Sequence, residues 1–261
     1  VNACTATINV SDDENPTIDC PVNQAVNTSD DDLGDCDYVA SGGEFDADYS
    51  DNCAVVSITN DYNGASTLDG AAFETGSHTV TWTATDAAGN DSSCTFTITV
   101  TDDENPICIA ADPITAGTDE DDNYDCGAYV TIPALEYSDN CGIMMVTHNS
   151  IFADAQGDNA SGVYPNGTTT VTWFVLDVNG NMSMCSTTIT IEDNEAPMIS
   201  CHADVTVEND LGFCGADVAG LIATADDNCD IDRIDYAIEF ADGTSTSGTS
   251  TGEADTHDVD A

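Results

Sequence analysis

Basic side chains are almost missing from this chain. One arginine, Arg233, stands against fifty acidic residues, for a formal charge of -49 over 261 residues. Such a chain repels nucleic acid and anionic membranes and favours cations as partners. No CxxC pair occurs, the nearest cysteines lie 13 residues apart, and the four histidines (His78, His148, His202 and His257) are scattered. Zinc sites bring closer-set ligands, so zinc is the weaker reading of the cysteines. No window has a convincing helical period, and no run of 18 apolar residues offers a membrane-spanning helix. A signal peptide and an initiating Met are missing too, so any secretion signal or anchor is expected outside this segment. GxSxG, HExxH and glycine-rich phosphate loops are all lacking, which predicts that the chain is not an enzyme. At most it would be an accessory stalk whose catalytic part lies elsewhere.

What is present suffices for a fold. Apolar residues make up 41% of the chain, enough to build cores despite the charge. Self-repulsion on this scale opposes compaction unless bound cations or covalent links offset it. Twelve cysteines in β-patterned segments predict structural disulfides, an oxidising compartment and an extracellular, cell-surface location.

Self-similarity decides the architecture. SDDENP at 11–16 returns as TDDENP at 101–106 and EDNEAP at 192–197, with Pro16, Pro106 and Pro197 spaced by 90 and 91 residues. A cysteine follows each proline (Cys20, Cys108, Cys201) and a second follows an acidic turn (Cys36, Cys126, Cys214). The third closes an Asp-Asn-Cys triplet (Cys53, Cys141, Cys229), and the fourth opens CTFTITV or CSTTITI (Cys94, Cys185). Alternation in TVTWTAT and TFTITV, bounded by Gly, Asn and Asp, predicts half-buried antiparallel strands. The fold class is therefore all-β: tandem immunoglobulin-like β-sandwich repeats of about 90 residues arranged end to end. The expected divisions are the last strand of a preceding or neighbouring repeat at 1–11, repeat 1 at 12–101, repeat 2 at 102–192, and repeat 3 at 193–261, lacking its final strand. Trp82 and Trp173, on the penultimate strands, read as core anchors.

NPTIDCP at 15–21, SDNC at 50–53 and GSHTVTWTATDAAGNDSSCTFTITV at 76–100 resemble the hyalin repeat (HYR) family of extracellular adhesion proteins and very long bacterial surface adhesins. With the second and third copies, the resemblance covers nearly the whole chain. Family members often keep only the first and fourth cysteines. The resemblance therefore implies pairs Cys20 to Cys94 and Cys108 to Cys185, with added pairs Cys36 to Cys53, Cys126 to Cys141 and Cys214 to Cys229. In a seven-stranded sandwich the last strand begins at the end where the chain enters, which independently favours the first pairing. The second is less comfortable, because Cys36 and Cys53 bracket a strand. Sequence alone allows three connectivities per unit.

Loops BC and FG and the incoming linker should share one end of each sandwich, and carboxylates gather in all three. Asp12, Asp13, Glu14, Asn15, Asp51, Asn52, Asp86 and Asn90 form the first predicted set; Asp102, Asp103, Glu104, Asn105, Asp139, Asn140, Asp177 and Asn181 the second. The third comprises Asp193, Asn194, Glu195, Asp227 and Asn228. Oxygen-only ligands from three segments suit Ca²⁺ as the cofactor. Acidic turns at Asp30–Asp32 and Asp119–Asp122 could add ligands at the following junction. Generic surface acidity of the high-salt type explains part of the charge, and Asp-Asn and Asp-x-x-Gly-Asn also shape turns. Asn-x-Ser/Thr sequons at Asn9, Asn27, Asn90, Asn159, Asn166 and Asn181 are weak signals in so Ser- and Thr-rich a chain.

The leading functional expectation is a calcium-stabilised, disulfide-locked fibre or adhesin stalk whose partners are copies of itself end to end. Its rival is a module that binds glycan or protein through variable loops 61–75 and 149–166, with Phe73, Phe152 and Tyr164 as candidate contacts. Cys4 and Cys201 are expected to meet across adjacent copies, where Asp260 and Asn2 would stand as Asp86 and Asn90 do, either in one longer polypeptide or through a donated strand 1–10.

Overall fold

The computed structural model describes residues 4–31, 34–118, 126–216, 218, 221–240, 243–250 and 256–259. Eight strands occupy repeat 1: β1 (Thr17–Asp19), β2 (Gln24–Asn27), β3 (Asp37–Val39), β4 (Asp48–Ser50), β5 (Val55–Asn60), β6 (Ala72–Glu74), β7 (Gly76–Asp86) and β8 (Asp91–Thr101). One sheet has the order β2-β8-β7-β5, with β2 parallel to β8; facing it are the pairs β1-β4 and β3-β6. This is the expected immunoglobulin-like arrangement, with β7 and β8 as strands F and G.

Period-2 alternation builds the core. Val80, Trp82 and Ala84 of β7 point inward with Phe96, Ile98 and Val100 of β8, and Trp82 donates its indole N–H to the Phe45 carbonyl at 3.1 Å. Phe73 is fully buried and stacks on Tyr62, with ring centroids 4.3 Å apart.

Repeat 2 has the same sequence of strands: β9 (Ile107–Ile109), β10 (Ile114–Gly117), β11 (Gly127–Val130), β12 (Glu136–Ser138), β13 (Ile143–His148), β14 (Gly162–Pro165), β15 (Gly167–Asp177) and β16 (Met182–Glu192). Their sheet orders, β10-β16-β15-β13 with β11-β14 and β12-β9, match those of repeat 1 strand for strand. Repeat 3 contributes β17 (Met198–Ser200), β18 (Leu221–Asp226), β19 (Ile234–Glu239), β20 (Ser245–Ser250) and β21 (Thr256–Val259), ordered β17-β18-β21 and β19-β20. The chain divides into two compact units. One comprises Val1–Cys108 with Tyr137–Met145 and Val175–Ser183, and the other the remaining segments.

CTATINV at 4–10 forms no strand, and Ile8 and Val10 are 86% and 92% exposed. A strand needs a neighbour for its backbone N–H and C=O groups, and this segment has none among the described residues; the expected neighbour belongs to a preceding or neighbouring repeat.

The cystines depart from expectation in part. Cys20 bonds Cys94 as expected, and Cys108 and Cys185 are also disulfide-bonded. Cys36, however, bonds Cys141 rather than Cys53, and Cys126 bonds Cys229 rather than Cys141. Cys53 and Cys214 are exposed thiols, as are Cys4 and Cys201, so no Cys214 to Cys229 bond forms either. Strands β3 and β4 lie between Cys36 and Cys53 and carry them to opposite ends of the repeat. The second cysteine of one repeat thereby meets the third of the next.

Candidate metal centre

Strand register delivers the first ligand of each site. On β7 the inward positions Val80, Trp82 and Ala84 are followed two residues on by Asp86, which is 1% exposed; Val171, Trp173 and Val175 lead in the same way to Asp177, at 0%. A carboxylate on the buried face of a strand end must be held by donors. Asp86 Oδ1 accepts the N–H groups of Ala88, Gly89 and Asn90 at 2.7–2.9 Å, and Asp177 Oδ1 accepts those of Asn179, Gly180 and Asn181 at 2.6–2.8 Å. The turn depends on Gly89 and Gly180, whose φ values of 93° and 102° disfavour a side chain. Burial pushes both carboxyls up, but the bonds from Asn90, Gly89 and Ala88, and from Asn181, Gly180 and Asn179, outweigh it and hold both below the usual carboxylate value.

Loop BC supplies the second carboxylate by the same device. Asp51 Oδ2 accepts from Cys53 N and Ala54 N, and Asp139 Oδ1 from Cys141 N and Gly142 N, all at 2.8–3.1 Å. The linker supplies the third: Asp12 Oδ1 accepts from Glu14 N, and Asp102 Oδ1 from Glu104 N, both at 3.2 Å. Each aspartate thus ties one oxygen into its own turn; the second oxygen of Asp86 also accepts from Asn90 Nδ2 and that of Asp102 from Asn179 Nδ2, both at 2.7 Å. Ligand oxygens of Asp12, Asp51 and Asp86 lie within 4.8 Å of one another, as do those of Asp102, Asp139 and Asp177. Both clusters belong to the first compact unit.

Several of these oxygens are buried without compensation. Asp12 Oδ2, Asp139 Oδ2 and Asp177 Oδ2 have no hydrogen-bond partner among the described residues. A buried anionic oxygen without a partner is costly, and a cation removes the cost. The one basic side chain is engaged elsewhere, with Arg233 3.2 Å from Asp235. All-oxygen donors, crowded acids and orphaned buried oxygens fit a hard divalent cation such as Ca²⁺.

Of the other predicted residues, Glu14 Oε2 accepts from Asn52 Nδ2 at 2.7 Å, and Glu104 accepts from Asn140 in the same way. Burial, then the charges of Asp102, Asp103 and Asp139, push the Glu104 carboxyl up. Asn90 and Asn181 turn their amide nitrogens to the linker, donating to the carbonyls of Glu14 and Asp102 at 3.0 and 3.2 Å, so a glycan at either sequon would displace these bonds. Asp13, Asn15, Asp103 and Asn105 are exposed, and Asp103 accepts from Ser29 Oγ at 2.8 Å. The first acid of each linker, rather than the second, reaches the cluster.

The third predicted site is poorer. Asp193 and Asp227 converge with Cys229, whose sulfur is already in a disulfide. Asp227 Oδ2 and both side-chain atoms of Asn228 are buried without partners among the described residues, while Asn194 is exposed and Glu195 half-buried. Asp30 and Asp31 cap their own loop by accepting from Asn27 N and Val39 N; Thr28 Oγ1 makes the bond to Asp102, at 3.3 Å. Asp32, Asp119–Asp122, Asp260 and Asn2 lie outside the described residues. Sequence reasoning missed Asn179, whose Nδ2 donates to Asp102 Oδ2 at 2.7 Å, because the equivalent Ala88 has no amide.

Residues 11–100 match the HYR domain. The chain is 30% identical to hyalin of Lytechinus variegatus over 182 residues, 69% of this chain and 32% of that protein. It is 32% identical over 152 residues to the Sushi, von Willebrand factor type A, EGF and pentraxin domain-containing protein 1 of Rattus norvegicus, covering 57% of this chain and 4% of that protein. The chain therefore spans a small part of the curated relatives it matches. These relatives are animal proteins, so the expected link to bacterial adhesins finds no support among them. The protocadherin GammaB4 extracellular domain aligns with 90% of this chain and 43% of its own at 13% identity and a TM-score of 0.33. The HYR match over residues 11–100, the disulfides and the all-β sandwiches make this an extracellular structural or adhesive module. Among the described residues, no helix is long and apolar enough to cross a membrane.

Proposed function

We propose that this chain is a segment of an extracellular fibre or adhesive stalk, built from three HYR-like repeats, whose junctions are held by Ca²⁺ together with disulfides. The observation that carries calcium is the pair of equivalent triads, Asp12/Asp51/Asp86 and Asp102/Asp139/Asp177, each within 4.8 Å and each presenting buried, unpartnered carboxylate oxygen. Linker, BC loop and FG loop contribute one acid each, so a bound ion ties the incoming chain to both loops. Without it, three like charges repel at the point where the repeats meet.

The two fully buried aromatics of the variable loops weaken the rival reading. Phe73 and Tyr164 pack in the interior, where neither ring is free to meet a glycan or protein surface. Partners on the fibre reading are further copies of the same kind of repeat.

Isothermal titration of the chelator-treated protein with CaCl2 tests the reading. At least two ions should bind per chain. Asp12→Asn and Asp139→Asn keep the turn hydrogen bonds but each remove one charge, so each should weaken its own site about tenfold and leave the other intact. Absence of binding at millimolar calcium would remove calcium from the proposal.

A further inference from the structure

Cystine connectivity follows a rule that extends past the described chain. The second cysteines of repeats 1 and 2, Cys36 and Cys126, bond the third cysteines of repeats 2 and 3, Cys141 and Cys229. Cys53 is the third cysteine of repeat 1 and Cys214 the second of repeat 3, and both are exposed thiols. We propose that Cys214 forms a disulfide with Cys53 of a second copy of this chain, joining copies head to tail by the bridge that already joins repeats within one.

Both thiols occupy positions equivalent in sequence to their bonded counterparts. Cys53 N donates to Asp51 at 2.8 Å, as Cys141 N does to Asp139 at 3.0 Å and Cys229 N to Asp227 at 2.9 Å. Cys214-Gly215-Ala216 repeats Cys126-Gly127-Ala128. Beside the formed bridge, Asn140 Nδ2 donates across the junction to the carbonyl of Asp35, next to Cys36, as well as to Glu104. Asn52 makes only the Glu14 half of this pattern among the described residues.

A second, independent feature points to the same partner. Cys201, Val205, Leu221, Ala223, Tyr236 and Phe240 line a cavity in repeat 3. Cys4 through Val10, CTATINV, resembles CTFTITV at the start of the last strand of repeat 1, where Cys94 bonds Cys20. That segment has no strand partner among the described residues and exposes Ile8 and Val10. Cys4 of the second copy thus completes the joint at Cys201, while Cys53 completes it at Cys214. All twelve cysteines are then paired.

Each joint bridge forms when two thiols lose two protons and two electrons to a disulfide oxidant. With glutathione disulfide, attack of one thiolate gives a mixed disulfide, and the second thiolate displaces glutathione thiol; two glutathione thiols result. The inference rests on the reading of the chain as part of a repeated extracellular structure and does not need calcium. In one longer polypeptide a neighbouring repeat would supply the same cysteine.

The test mixes isotopically heavy and light copies in a glutathione redox buffer, with calcium and with chelator, and maps cystines by mass spectrometry without reduction. Cys53 to Cys214 peptides of mixed label, within covalent multimers, are expected in both buffers. Cys53→Ser should abolish that peptide while leaving Cys20 to Cys94, Cys36 to Cys141 and Cys126 to Cys229 in place. Thiols or glutathione adducts persisting at Cys53 and Cys214, bridges only within one label, or a Cys36 to Cys53 bond would each overturn the proposal. Failure to bind calcium in the same samples would remove only the metal.

Discussion

Ala54 follows Cys53 with a φ of 131°, a conformation that side chains other than hydrogen rarely adopt, where repeat 2 has Gly142 at 107°. The BC turn imposes it, because Asp51 must accept the N–H groups of both Cys53 and Ala54. Ala54→Gly should therefore stabilise the repeat by about 1 kcal/mol, the strain relieved exceeding the added chain entropy, as chemical denaturation would measure. The FG turns make a pH-dependent prediction. Asp86 and Asp177 are held below the ordinary carboxylate value in the folded state, so the stability they add is complete above about pH 4, the unfolded value, and is lost as pH falls through the lower folded value. In chelator, Asp86→Asn and Asp177→Asn keep an oxygen acceptor for the turn and lose the titration. The acid limb of the stability profile should flatten in both variants, and an unchanged limb would place the pH dependence elsewhere. At this scale the sequence was informative in part. Asp86 and Asp177 follow from the alternation that buries Trp82 and Trp173, whereas the choice of Asp12 over Asp13 depends on how the linker turns, which no periodicity encodes.

The two long closing strands of each sandwich were legible because Thr, Val and aromatic alternation with Asp, Asn and Gly stops maps directly onto β7, β8, β15 and β16, whereas the short strands before them, which bring repeat 1 to eight rather than seven, were not. Cystine pairing was legible only where both cysteines lie within one sandwich, as Cys20 and Cys94 do. The second and third cysteines could not be paired from one repeat alone, since their partners belong to adjacent repeats. The consequence is mechanical. Cys20 to Cys94 bridges 74 residues and Cys36 to Cys141 bridges 105, so the covalent loops overlap and the linker between repeats 1 and 2 is bypassed by a bridge. With Cys126 to Cys229, which spans 103 residues, a short covalent route runs from Cys20 through Cys36, Cys141 and Cys126 to Cys229. Pulling on the oxidised protein should leave most of that stretch unextendable, and reduction should release roughly 600 Å of contour at ~3.4 Å per residue. Equal contour lengths with and without reductant would contradict the connectivity.

For the whole molecule, a formal charge of -49 sets the problem that the junctions answer. On the proposed reading, two ions at the well-formed triads would neutralise little of it, so their effect would be local: they would relieve repulsion where three acidic segments are forced together, while the remaining charge stays on the solvated surface. The disulfides act on the same junctions by a different route, since Cys141 directly follows the Asp139-Asn140 pair and Cys229 the Asp227-Asn228 pair. The proposed metal site at Asp102, Asp139 and Asp177 and the Cys36 to Cys141 bridge are thus neighbours at the boundary of repeats 1 and 2. Removing calcium alone should loosen the acidic loops while the cystine keeps adjacent repeats attached. The most direct measurement is anomalous diffraction from crystals grown in calcium. The account predicts ions about 2.3–2.6 Å from carboxylate oxygens of Asp12, Asp51 and Asp86, and equally of Asp102, Asp139 and Asp177. Density without an anomalous peak at either triad, with these aspartates turned apart into solvent, would contradict it.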